Sequence, residues 1–128
     1  MRLADCFVGV LAYTELALRQ PAAGYDEFRR RVEAMLGEAA ERARRAGVTD
    51  ADYKAALFAV AAWIDETVMC SGWSDAARWE KELLQRIHFN TARAGVELFS
   101  RLEQLAPQQK AVREVYYLCL ELGFKGKY

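Results

Sequence analysis

An all-α fold is predicted by three observations. Apolar residues recur at helical spacing along most of the 128 residues, alternation of the strand type is scarce, and only two prolines and eight glycines punctuate the chain. Apolar residues make up 53% and aromatics 12% of the sequence, a composition that closes a packed core and excludes a disordered chain. The length suits one domain, residues 1–128.

The first helix is expected over about Leu3 to Leu18, with Phe7, Val10, Leu11, Thr14 and Leu18 on one stripe, and Gln20-Pro21-Ala22-Ala23-Gly24 ends it. The second is expected over about Tyr25 to Ala46, with Phe28, Val32, Met35, Leu36 and Ala39 inward. Its other face carries Arg29-Arg30-Arg31, Arg42, Arg44 and Arg45 among acids, which reads as a solvated face with i,i+4 ion pairs. Gly47 supplies its stop. Thr49 is placed as the N-cap of a third helix, about Asp50 to Met69, with Asp52 in the first turn. Tyr53, Leu57, Val60, Ile64 and Val68 form one stripe there, while Phe58, Ala62 and Trp63 cover other directions. A helix apolar nearly all round is surrounded by neighbours.

Asp65 and Glu66 follow directly on that core run. Acids in the last turn of a helix oppose the macrodipole, which favours cations there by about 0.3–1 kcal/mol each. Three readings stay open: an offsetting arginine such as Arg78, Arg86 or Arg93, a charge kept for a partner surface, or a polar network fixing the following turn.

Cys70-Ser71-Gly72-Trp73 reads as a turn, after which Ser74 or Asp75 caps a fourth helix carrying Trp79, Leu83, Leu84 and Ile87. The segment from His88 to Gly95 breaks or bends the chain. A fifth helix is expected from about Val96 to Leu105, with Leu98, Phe99, Leu102 and Leu105 inward. Pro107 separates it from a last helix, where Val112, Val115, Tyr116, Cys119 and Leu122 share a face.

Lys and Arg (18) balance Asp and Glu (18), so no net basic field draws in nucleic acid or anionic lipid. Cys6, Cys70 and Cys119 lack metal-ligand spacing; Cys6 and Cys119 sit in apolar runs and Cys70 in a more exposed setting. No secretory signal opens the chain, and its longest apolar stretch, Ala55 to Ile64, is ten residues, short of the roughly 18–20 that span a bilayer. A reduced, cytoplasmic setting is expected. The lone His88 is preceded three residues earlier by Gln85, so the Glu-x-x-His pair of di-iron bundles is missing. Asp65 and Glu66 diverge by about 100° on a helix and cannot face each other as acid and base. We therefore expect no enzyme, no catalytic residue, no metal and no cofactor.

Four blocks of sequence carry a family resemblance: Ala61-Ala62-Trp63-Ile64-Asp65-Glu66-Thr67-Val68; Trp73 followed by Trp79 and Leu83-Leu84; Phe89-Asn90 with Gly95, Glu97 and Phe99; and the ending Glu114 to Tyr128. Together they resemble the cytoplasmic domain of the DotU/TssL (IcmH) family, inner-membrane components of type VI and type IVB secretion systems. Departures are Val96, where the family has a second glycine, and Leu98, where it has the first of two aromatics.

The resemblance implies about six to eight helices arranged as two small bundles in a hook-like, all-α domain. It implies a non-enzymatic scaffold at the cytoplasmic face of the bacterial inner membrane, linking an IcmF/TssM-like partner to baseplate components (TssK-like), with a homodimer in the anchored form. Family members continue to a transmembrane helix that this chain lacks, so membrane contact is expected only through such an anchor. The docking surface is placed at Asp65, Glu66, Trp73, Phe124, Lys125, Lys127 and Tyr128. The competing readings are a type IVB component, a metal- or ligand-binding bundle, and a generic helical interaction module.

Overall fold

In the computed structural model, residues 2–20 and 24–127 are described. Among them are a 3-10 turn, Leu3–Cys6, and seven helices: α1 (Val8–Arg19), α2 (Tyr25–Arg45), α3 (Asp50–Met69), α4 (Ala76–Glu80), α5 (Leu84–Phe89), α6 (Ala94–Gln104) and α7 (Lys110–Glu121). Five of them have 11 residues or more, whereas α4 and α5 have only 5 and 6. The helix count therefore depends on how these short pieces are taken, and the all-α class holds. No described helix is long and apolar enough to cross a membrane.

α3 is the central rod. Thr49 Oγ1 accepts the Asp52 N–H at 3.1 Å and opens the helix. Every residue from Ala56 to Glu66 is buried. Ala56, Ala59, Ala61 and Ala62 keep the rod thin, so neighbouring helices approach it closely on several sides. α1 and α2 pack on each other and on α3, while α4, α5, α6 and α7 pack on α3 in turn. α3 is thus shared by two groups of helices, and the buried residues form one continuous cluster around it.

α2 follows its sequence pattern closely. Asp26 and Glu27 lie in its first turn and Arg42, Arg44 and Arg45 in its last, each sign matching the dipole. Arg45–Glu41 pairs along the exposed face at 3.5 Å, whereas Arg29, expected on the solvated face, is largely buried and pairs with Glu33 at 3.1 Å. Gly47, at φ 86°, turns the chain, with Val48 N–H bonded to Ala43 O and Gly47 N–H to Arg44 O at 3.0 Å each. That pair of bonds satisfies the end carbonyls of the helix in a Schellman arrangement.

Three expectations need correction. The single fourth helix is two, α4 and α5, because Leu83 is extended at φ −52° and ψ 140°. The break resets the helical phase: of the apolar residues assigned to that helix, Trp79, Leu83 and Leu84 are buried, and Ile87 is 60% exposed. Leu122 lies beyond the end of α7 and is partly exposed, and Phe99 on α6 is also partly exposed. The break after α5 is where it was expected, with Asn90 at φ 53°.

The cysteines divide as their surroundings dictate. Cys6 and Cys119 are buried and Cys70 is exposed, all three as free thiols. Burial pushes the Cys119 thiol up to about 12, so it is un-ionised and unreactive near neutrality. Native protein is expected to consume one equivalent of a colorimetric disulfide reagent, at Cys70, and all three thiols should react after denaturation. Reaction of Cys119 in the native state would contradict the packing around α7.

Candidate functional site

The two acids near the end of α3 point in different directions around the rod and meet different elements. Asp65 has no exposed surface. Its Oδ1 accepts the Trp79 indole N–H at 2.8 Å and the Leu84 N–H at 2.9 Å. Its Oδ2 accepts the Gln85 backbone N–H at 2.9 Å and the Gln85 side-chain Nε2–H at 3.0 Å. A carboxylate offers about four acceptor positions, and here four donors occupy them. Leu84 and Gln85 are the first two residues of α5, so Asp65 caps that helix from another element. This is the physical cause of the break after α4. Gln85 extends the chain of bonds, since its Oε1 accepts the Ala94 N–H at 2.9 Å, at the start of α6. Burial pushes the Asp65 carboxyl above its usual range, and the four N–H groups pull in the opposite direction.

Glu66 faces another part of the chain. Its Oε2 accepts the Lys125 N–H at 2.8 Å and its Oε1 the Lys127 N–H at 2.6 Å. The side chain is nearly buried. Close by, the Trp63 indole N–H donates to Leu122 O at 3.3 Å. One end of α3 therefore holds the start of α5 with one acid and the segment after α7 with the next.

These contacts revise the sequence-based docking surface. Asp65 is enclosed and its oxygens are fully used internally, so it presents no charge to a partner. No arginine answers it: Arg78 pairs with Asp26 at 3.2 Å, and Arg86 and Arg93 are exposed. Phe124 is 4% exposed, with its ring 6.0 Å from that of Phe99, and belongs to the core. Trp73 is half-buried, stacked on Tyr25 at 5.9 Å and edge-on to Phe28 at 5.3 Å. The Lys125 and Lys127 residues are exposed. Tyr128 lies outside the described residues.

Glu66, Lys125 and Lys127 do come together, on an open groove of about 590 Å³ where α1, α3 and the segment after α7 meet. Glu15, Leu18 and Arg19 of α1 form its other wall, and Trp63 and Leu122 contribute apolar surface. Sequence reasoning missed the α1 residues. Their only signal was that Glu15 and Arg19 are the charged positions of an otherwise apolar helix, and nothing local says where that helix ends in space.

The groove carries no assembled reactive set. Ser71 Oγ donates to Val68 O at 2.7 Å and accepts the Trp73 N–H at 3.1 Å, so its hydroxyl shapes the turn after α3. His88 Nε2 lies 3.2 Å from Glu33 Oε1, and neither residue lines the groove. Among the described residues no group of three or more His, Cys, Asp or Glu side chains is placed to hold a metal ion.

Residues 2–128 match the model of the family described as type VI secretion system protein DotU. This chain belongs to the DotU family. The fold agrees: it is similar to the cytoplasmic domain of TssL from Acinetobacter baumannii, with a TM-score of 0.88 and 28% identity, over all of this chain and 85% of that one. No curated protein matches the sequence. Asp65 and Glu66 together form a clamp that sets the backbone beside the end of α3.

Replacement of Asp65 by Asn tests the first half of that clamp. The amide would turn an N–H₂ group toward two N–H donors, leaving them unsatisfied at a cost of about 1–3 kcal/mol. Urea unfolding is expected to show a lower midpoint, with the unfolding free energy reduced by about 1–3 kcal/mol. An unchanged midpoint would mean that the network does not hold α5.

Proposed function

We propose that this DotU-family chain is a non-enzymatic scaffold of a type VI secretion system. Its residues 1–128 act as one domain at the cytoplasmic face of the inner membrane, joining an IcmF/TssM-like membrane partner to TssK-like baseplate components. A homodimer forms in the anchored protein. The observation that carries this reading is the family match along residues 2–128, together with a fold shared with a TssL cytoplasmic domain. The described groove supports it in kind. It is open, walled by charged residues from two separate parts of the chain, and built on a rigid rod, as a docking surface requires.

Within that reading the docking surface is the groove, with Arg19, Lys125 and Lys127 as its orienting charges. None of the three has an ion-pair partner among the described residues. Charges on the rim of an interface act chiefly on encounter rate and orientation.

Binding of the purified chain to the IcmF-like cytoplasmic domain and to the baseplate adaptor of the same genome tests the proposal. Saturable binding is expected to at least one of them. The double variant Arg19→Glu with Lys127→Glu is expected to weaken it about tenfold or more, with an unchanged helical circular dichroism spectrum. Failure of the wild-type chain to bind either partner would sink the scaffold reading. Full binding by the folded variant would move the docking surface away from the groove.

A further inference from the structure

The segment after α7 is held differently from the rest of the chain. Residues 123–127 contain no helix and cross from the end of α7 to the start of α6. Gly123 sits at φ 103° with open space where a side chain would stand. Phe124 is inserted against Phe99, and the Phe124 N–H bonds to Cys119 O at 3.1 Å. The Lys125 and Lys127 N–H groups both point at one carboxylate, that of Glu66. Between them Gly126 is at φ 77°, and a β-carbon there would lie 2.8 Å from Gly95 O and 3.2 Å from the Phe99 ring. A residue other than glycine would therefore force either the segment or α6 to move.

We propose that residues 123–127 form a strap and that Glu66 is its latch, so that the strap can leave the body of the domain as a unit about Gly123. The latch is a single side chain that holds two backbone N–H groups, and the rest of the anchorage is one ring, one glycine contact and the N–H bonds of Gly123 and Phe124 to Leu120 O and Cys119 O beside the hinge. A segment held by so few contacts opens at lower free energy than the helices beside it. Closed, the strap forms one wall of the groove through Lys125 and Lys127. Open, it withdraws both cations from that wall and uncovers the buried Phe124 together with the already half-exposed Phe99. The two states present different surfaces at one place: a charged rim or an apolar patch. The latch works through intramolecular contacts alone, so its failure and the failure of the docking reading give different results.

The test is amide hydrogen exchange and limited trypsin digestion of the 128-residue chain and its Glu66→Gln variant. Glutamine keeps the length of the side chain but places an N–H₂ group against one of the two backbone donors. Exchange at residues 123–127 is expected to rise about tenfold or more, with α3 and α7 still protected, because bonds to a charged acceptor are lost. Cleavage after Lys125 should accelerate in parallel, since a protease needs that backbone free and extended. Gly126→Ala strains the far end of the strap without touching α3 and is expected to give the same local release. Unchanged exchange at 123–127 in both variants would overturn the proposal. So would equal loss of protection in α3 and α7 in both, which would make the strap an inseparable part of the core.

Discussion

Asp65 carries a carboxylate to a place without solvent, where it is surrounded by N–H groups drawn from two later helices. Burial of an unpaired charge is costly, and this one has no cationic partner; only the donors around it make the position tolerable. Much of the second half of the chain follows from that requirement. The donors must come from somewhere, and the start of α5 supplies two of them by breaking the helix that began at Ala76. Trp79 supplies a third from the first side of that break, and the Gln85 side chain supplies the fourth and passes the order on to α6. The large ring of Trp79 is then locked in place, and Arg29 lies over it at 4.6 Å, which ties α2 to the same point.

The rod that presents this carboxylate is made of small residues and large ones in alternation around its surface. Trp63, Phe58 and Ile64 fill the space between helices, and the alanines between them let the helices close in. A core of this kind transmits displacement poorly in degrees but faithfully in steps, since packed side chains resist small shifts. The position of the groove is accordingly tied to the position of α3, whose Trp63 and Glu66 both reach it.

Local signals made much of this legible in the sequence. The limits of α3 follow from Thr49 and from the length of the apolar run, and the turn after α2 follows from Gly47, because a cap or a left-handed residue acts within a few positions of itself. The oddity of two acids against a helix dipole was also legible. What answers them was not, since the partners of Asp65 lie 14 to 20 positions away and those of Glu66 59 and 61 away. The single fourth helix was misread for the same reason: periodicity was carried through a break that a distant side chain caps. Of the three readings open for the acids, the polar network is the one that Asp65 makes, and charge alone does not distinguish a docking group from a buried cap.

Four of the six donors that reach Asp65 and Glu66 are main-chain groups, at residues 84, 85, 125 and 127. A main-chain N–H is supplied by every amino acid except proline. The path of the chain at positions 125 and 127 is thereby set without any demand on the side chains there, which remain exposed. Fold and surface chemistry are uncoupled at that wall of the groove. Substitution at these two positions changes the charge on that wall while keeping the same backbone course.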